Sequence, residues 1–132
     1  VAIVRHPVAV SLATQPWAGI DLEDLVDHWL RAHEAFEQDR VSIQRLHFVR
    51  YEDLVTDPSA HLDAIDRMLG LAPQARQLDV KYGTNDRYLR RFRHHRLLRR
   101  SLRPARFSAH FGMRLDRLGY GYRFTDRPER AS

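Results

Sequence analysis

Apolar and polar positions alternate between two periods along this chain, and the changes of period mark its elements. Val1-Ala2-Ile3-Val4 is a short apolar run rich in β-formers that ends in Arg5, which predicts a buried strand. Pro7 follows two positions later. It biases His6 toward an extended conformation and suits the first turn of a helix, so a helix is expected from Val8 onward. Pro16 and Gly19 mark a loop, and Trp17 within it reads equally as a core anchor or a pocket wall. From Asp21 to Gln38, Leu22, Leu25, Val26, Trp29, His33 and Phe36 recur at helical spacing, with Asp21 placed to cap the helix and Glu23 and Asp24 in its first turn.

A second strand is expected over Arg45–Tyr51, where Leu46, Phe48, Val49 and Tyr51 cluster. Asp57-Pro58 then starts a helix, cap followed by first-turn proline. That helix carries Leu62, Ile65, Met68 and Leu69 on one face and stops at Gly70, with Leu71 closing the cap. Near the end, Phe107, Phe111, Leu115 and Leu118 are spaced as a helix packing back on the sheet and ending at Gly119-Tyr120-Gly121. The segment 126–132 is expected to be a disordered tail. The order strand, helix, helix, strand, helix favours a parallel α/β layer over a helical bundle.

Composition narrows the class. A length of 132 residues fits one domain with a real core. No apolar run approaches the ~18 residues of a membrane span. Cysteine is absent, which excludes disulfides and thiolate metal sites and permits a reducing compartment, so a cytoplasmic location is expected. His28 and His33 are five apart and lack the four-residue spacing that puts two ligands on one helix face, so no metal is expected. Net charge is +5, and arginine supplies all but one of the 22 Lys and Arg residues, Lys81 being the exception. The chain opens on Val1, inside the expected strand, which reads as the C-terminal part of a longer domain, with residues 1–125 belonging to it.

Candidate chemistry starts at Arg5. The carboxyl end of a strand facing the N-terminus of the next helix is where α/β sheets gather anions, because free N–H groups and the helix dipole favour negative charge there. Ser11 and Thr14, three apart, place two hydroxyls on one face of that helix. Read from the residues alone, the same pattern also fits a strand-to-helix turn with a surface arginine.

The segment Arg5-His6-Pro7 with its small-apolar, hydroxyl-bearing helix resembles the 3'-phosphate motif of sulfotransferases that use 3'-phosphoadenosine 5'-phosphosulfate (PAPS). Val49-Arg50-Tyr51-Glu52-Asp53-Leu54-Val55, followed by Asp57-Pro58, a helix and Leu69-Gly70-Leu71, resembles a second block of that family, and Asn85-x-x-Tyr88 its looser C-terminal region. The resemblance implies a three-layer parallel sheet of the P-loop kinase-like type, incomplete here, with a helical C-terminal region. It implies sulfuryl transfer from PAPS to a hydroxyl or amine acceptor, this chain supplying the 3'-phosphate and adenine side of the nucleotide site. Arg5 and a helix hydroxyl would hold the 3'-phosphate, and Tyr51 would contact the adenine. The family serine lies eight residues after the arginine, a position held here by Ala13. Thr14, one position away, is favoured over Ser11, two positions short. Glu52 and Asp53 are expected to hold the loop.

No Gly-rich phosphate loop occurs in these residues, no catalytic base is assigned, and the isolated chain is expected to be inactive. His6, the titratable group beside Arg5, is a poor candidate base. The competing class is a non-catalytic module binding nucleic acid or acidic polysaccharide through the basic segment Arg87–Arg106. Aromatic residues are sparse there, so that class ranks second, and nucleic acid is not the expected partner.

Overall fold

The computed structural model describes residues 1–72, 74, 81–98 and 104–120. Strand β1 (Ala2–Val4) leads into helices α1 (Pro7–Ala18) and α2 (Leu22–Asp39) and a 3-10 turn at Arg40–Ser42. Strand β2 (Phe48–Arg50) follows, then α3 (Tyr51–Thr56), α4 (Pro58–Leu69), α5 (Thr84–Leu98) and α6 (Pro104–Arg117). The two strands pair in parallel, Ala2 opposite Phe48, Ile3 opposite Val49 and Val4 opposite Arg50. A parallel pair needs a long crossover, which α1 and α2 supply. Among the described residues the fold is mixed α/β and mostly helical, with a two-stranded parallel sheet.

One core gathers Val4 of β1, Val8 and Leu12 of α1, and Leu22, Val26 and Leu30 of α2. Phe92 of α5 and Phe107, Phe111 and Leu115 of α6 complete it, so α6 packs inward as its spacing implies. Arg114 ties α6 to α2. Its Nε and Nη2 fork onto Glu34 at 2.7 and 2.8 Å, and its Nη1 donates to Asp27 at 2.7 Å. These bonds hold both carboxyls below the ordinary carboxylate range.

Several local expectations are corrected. Tyr51 opens a helix instead of ending a strand, and β2 is limited to Phe48–Arg50. Glu52 and Asp53 in the first turn of α3 favour helix there, since negative charge is stabilised at a helix N-terminus. Pro16 lies inside the last turn of α1, and the helix ends at Gly19, which takes a left-handed φ of 66°. Trp17 is 78% exposed and is no core anchor. Asp21 occupies the N-cap of α2 without a side-chain capping bond, whereas Asp57 does cap α4, accepting from the Ala60 N–H at 3.0 Å. Gly70 closes α4 with the Leu71 N–H donating to Asp66 O at 2.8 Å, and the Leu71 side chain is 52% exposed. The apolar face of α4 is only partly covered, and Asp66 is the helix's buried residue. The tail expected at 126–132 lies outside the described residues.

Candidate functional site

The site forms where β1 ends. The parallel register sets Val4 beside Arg50, so the residues after each strand, Arg5 and Tyr51, emerge side by side at the carboxyl edge. The Arg5 guanidinium lies over the Tyr51 ring, 5.0 Å from its centroid, and 5.6 Å from that of Tyr88 on α5. Both are cation–π distances. Its Nε donates to Asn85 Oδ1 at 2.6 Å. Its Nη2 is buried and has no hydrogen-bond partner among the described residues. No carboxylate contacts Arg5 among the described residues.

Glu52, in the first turn of α3, sits one bond further out. Its Oε1 accepts from the His6 backbone N–H at 2.9 Å and from Asn85 Nδ2. It thereby holds the turn between β1 and α1, in agreement with the loop-holding role expected of it. Its Oε2 is buried without a partner among the described residues. Asn85 is 9% exposed and bridges the two charged side chains. The amide orientation follows from its neighbours: a guanidinium only donates and a carboxylate only accepts, so oxygen faces Arg5 and nitrogen faces Glu52.

Tyr120 closes the other side. α6 ends in a left-handed Gly119 (φ 71°), with the Tyr120 N–H returning to Leu115 O at 2.9 Å. Arg50 caps this end from β2, its Nη2 and Nη1 donating to Leu118 O and Gly119 O, each at 3.1 Å. The ring delivered by that turn meets His6 edge-on at 5.4 Å and Trp29 at 5.6 Å. Burial, then the Glu52 charge, push the Tyr120 phenol above its ordinary range. Burial also lowers His6 to about 4. At neutral pH the site therefore presents a permanent cation, a neutral imidazole and a protonated phenol. His6 in that state is a weak base, and the arrangement suits holding an anion better than moving a proton.

Of the residues singled out from sequence, Arg5 and Tyr51 are brought into contact. Ser11 is 2% exposed, and its Oγ lacks a hydrogen-bond partner; Thr14, one turn further along α1, is half-buried. Asn85, Tyr88 and Tyr120 were not singled out as site residues. The spacing Asn85-x-x-Tyr88 carried a usable signal, because positions three apart share a helix face and both meet Arg5. Within the basic segment Arg87–Arg106, Arg87, Arg90 and Arg91 are exposed; the side chains from 93 to 106 lie outside the described residues.

A family model described as "Sulfotransferase family" matches residues 1–76. The match contains Arg5, Ser11, Thr14, Tyr51 and Glu52, while Asn85, Tyr88 and Tyr120 lie beyond it. No curated protein and no solved structure matches the chain.

Proposed function

The chain belongs to the sulfotransferase family, and from that premise we propose that it serves sulfuryl transfer from PAPS to a hydroxyl or amine, contributing the 3'-phosphate and adenine side of the nucleotide site. In that reaction the sulfur–oxygen bond of the phosphosulfate breaks, a bond from sulfur to the acceptor oxygen or nitrogen forms, and the acceptor's proton leaves to a base. No residue of this chain is given that last role. The parallel pair and its helices are read as part of the three-layer sheet that the resemblance implies.

One observation carries the reading: a buried guanidinium nitrogen, Arg5 Nη2, stands without a partner in a cradle of two tyrosine rings and an amide. An unmade hydrogen bond of a buried group costs about 1–3 kcal/mol, more for a charged one. A phosphate oxygen would complete it with a charge-assisted bond. With Arg5 against one face of Tyr51, the opposite face and the hydroxyl are what remain for a base. Ser11 is the better-supported hydroxyl, since its buried Oγ is also unpaired and it lies one turn nearer the N-terminus of α1 than Thr14.

The test compares adenosine 3',5'-bisphosphate with adenosine 5'-phosphate by calorimetric titration of the protein. Arg5→Ala should weaken the bisphosphate by on the order of 2–4 kcal/mol, the range found on truncating one member of a buried charge pair. The nucleotide without a 3'-phosphate should lose far less. Equal losses for both would mean that Arg5 serves the fold.

A further inference from the structure

We infer that Asn85 is the residue that keeps Arg5 available to an anion: it holds the guanidinium by a neutral bond and keeps the Glu52 carboxylate one hydrogen bond away. The inference rests on the anion site proposed above and assigns a part of it to a residue outside the matched family region.

An arginine next to a carboxylate ordinarily closes onto it, as the part-exposed Arg114 does with Glu34 in this same chain. Arg5 follows β1 and Glu52, in the first turn of α3, bonds the next residue's N–H; both keep one buried polar atom, Nη2 and Oε2, unpaired among the described residues. What separates them is the Asn85 amide, whose oxygen takes Arg5 Nε while its nitrogen donates to Glu52 Oε1. The Glu52 oxygen that Asn85 engages also accepts the His6 backbone N–H, which fixes the carboxylate on the turn and away from the guanidinium. An amide is suited to this position because it accepts on one side and donates on the other. An aspartate in its place would put its one carboxylate directly on Arg5 and against the Glu52 carboxylate, where like charges disfavour ionisation of both. Asn85 is therefore a positioning residue whose neutrality, rather than its shape, sets the anion affinity.

Exchanging the two groups separates neutrality from shape. In the double variant Glu52→Gln with Asn85→Asp, the new amide on α3 can accept from the His6 N–H through its oxygen. Its nitrogen can donate to the new carboxylate on α5, which in turn can accept from Arg5. The net charge is kept and the carboxylate moves onto Arg5, the new amide turning to donate because a single Glu52 oxygen serves both His6 and Asn85 in the parent. The readout is the ratio of affinities for adenosine 3',5'-bisphosphate and adenosine 5'-phosphate, with circular dichroism to establish folding. The double variant should lose about 10- to 100-fold of the advantage conferred by the 3'-phosphate, the equivalent of one charge-assisted hydrogen bond, with the affinity for adenosine 5'-phosphate little changed. An unchanged ratio in a folded double variant overturns the inference and leaves Asn85 a structural tie. A wild-type protein that shows no preference for the 3'-phosphate overturns the anion-site reading itself, a distinguishable result. Should the double variant not fold, Asn85→Asp and Asn85→Ala are compared. Both lose the bridging geometry and only the first adds charge, so the aspartate must lower the ratio several-fold further, and equal losses refute the inference.

Discussion

Replacing Gly119 by alanine tests how the C-terminal helix delivers Tyr120 to the site. Gly119 sits at a φ of +71°, where an L side chain meets its own backbone, at a penalty of roughly 1–2 kcal/mol. The new methyl would also overlap Nη2 of Arg50 and stand 3.1 Å from Cζ. Arg50 would have to withdraw, losing its bonds to Leu118 O and Gly119 O and its place 4.9 Å from the Tyr120 ring. Hydrogen bonds from a charged donor are worth about 1.5–3 kcal/mol each, and the half-buried setting argues for the lower end. Losing one or both gives a total of about 3–5 kcal/mol, measurable as a fall in the urea midpoint at constant slope. The same substitution in an Arg50→Ala background should show the conformational penalty alone, about 1–2 kcal/mol. The difference between the two backgrounds isolates the arginine contact. An equal loss in both, or a loss below about 1 kcal/mol in the parent, would refute the account of Arg50 as the cap of this helix.

Two further outcomes are expected. His6 is held at about 4, below its ordinary 6.5, by burial, so between those values the unfolded chain binds the extra proton and stability rises with pH. The contribution, on the order of 3 kcal/mol, is complete above about pH 6.5 and fades as the pH falls toward 4; His6→Gln should flatten urea midpoints measured across that window, and an unchanged slope would show that His6 is not what titrates. Ser11→Ala should leave the free protein as stable or up to about 1 kcal/mol more stable, because it removes an unpaired buried hydroxyl from a helix. It should also weaken adenosine 3',5'-bisphosphate by about 1 kcal/mol or more, with Thr14→Val near neutral; a destabilised Ser11→Ala that binds as before would mark the hydroxyl as structural.

Local pattern revealed much of the frame. The strand at Ala2–Val4 with Arg5 behind it, the stripe of α2, the Asp57-Pro58 start, the Gly70 stop and the inward face of α6 are all set by neighbouring residues, and each is found. The strand expected to be buried nevertheless leaves Ile3 59% exposed and only Val4 in the core. The misses have physical causes of the same kind. Val49 and Tyr51 favour strand, but the acids after Tyr51 act on a helix N-terminus, and the helix prevails. Pro16 has no N–H to give and reads as a helix breaker, yet it stands inside the last turn of α1, three residues before Gly19 ends the helix. The site itself was half legible. Arg5 and Tyr51 announce themselves because strand ends of a parallel pair lie together. Asn85 reaches Arg5 across 80 residues of sequence, and no period in either segment reports such a meeting.

Three arginines show how structural and functional roles part within one chain. Arg114 saturates itself on two carboxylates and joins two helices. Arg50 spends its two Nη groups on the carbonyls of a helix end. Arg5 alone of the three keeps a buried nitrogen unpaired, although an equally unpaired carboxylate oxygen lies on Glu52 nearby. Stability by itself favours closing that gap, since each unpaired buried group costs about 1–3 kcal/mol and an ion pair between them would relieve two at once. The gap persists because Asn85 occupies the space between them and Glu52 is committed to the His6 turn. Ser11 Oγ and the Tyr120 hydroxyl add two more unpaired buried atoms, one on the helix that follows Arg5 and one on the ring against His6. A buried guanidinium nitrogen left unpaired at the carboxyl edge of a parallel pair is the ground on which an anion is proposed as its partner.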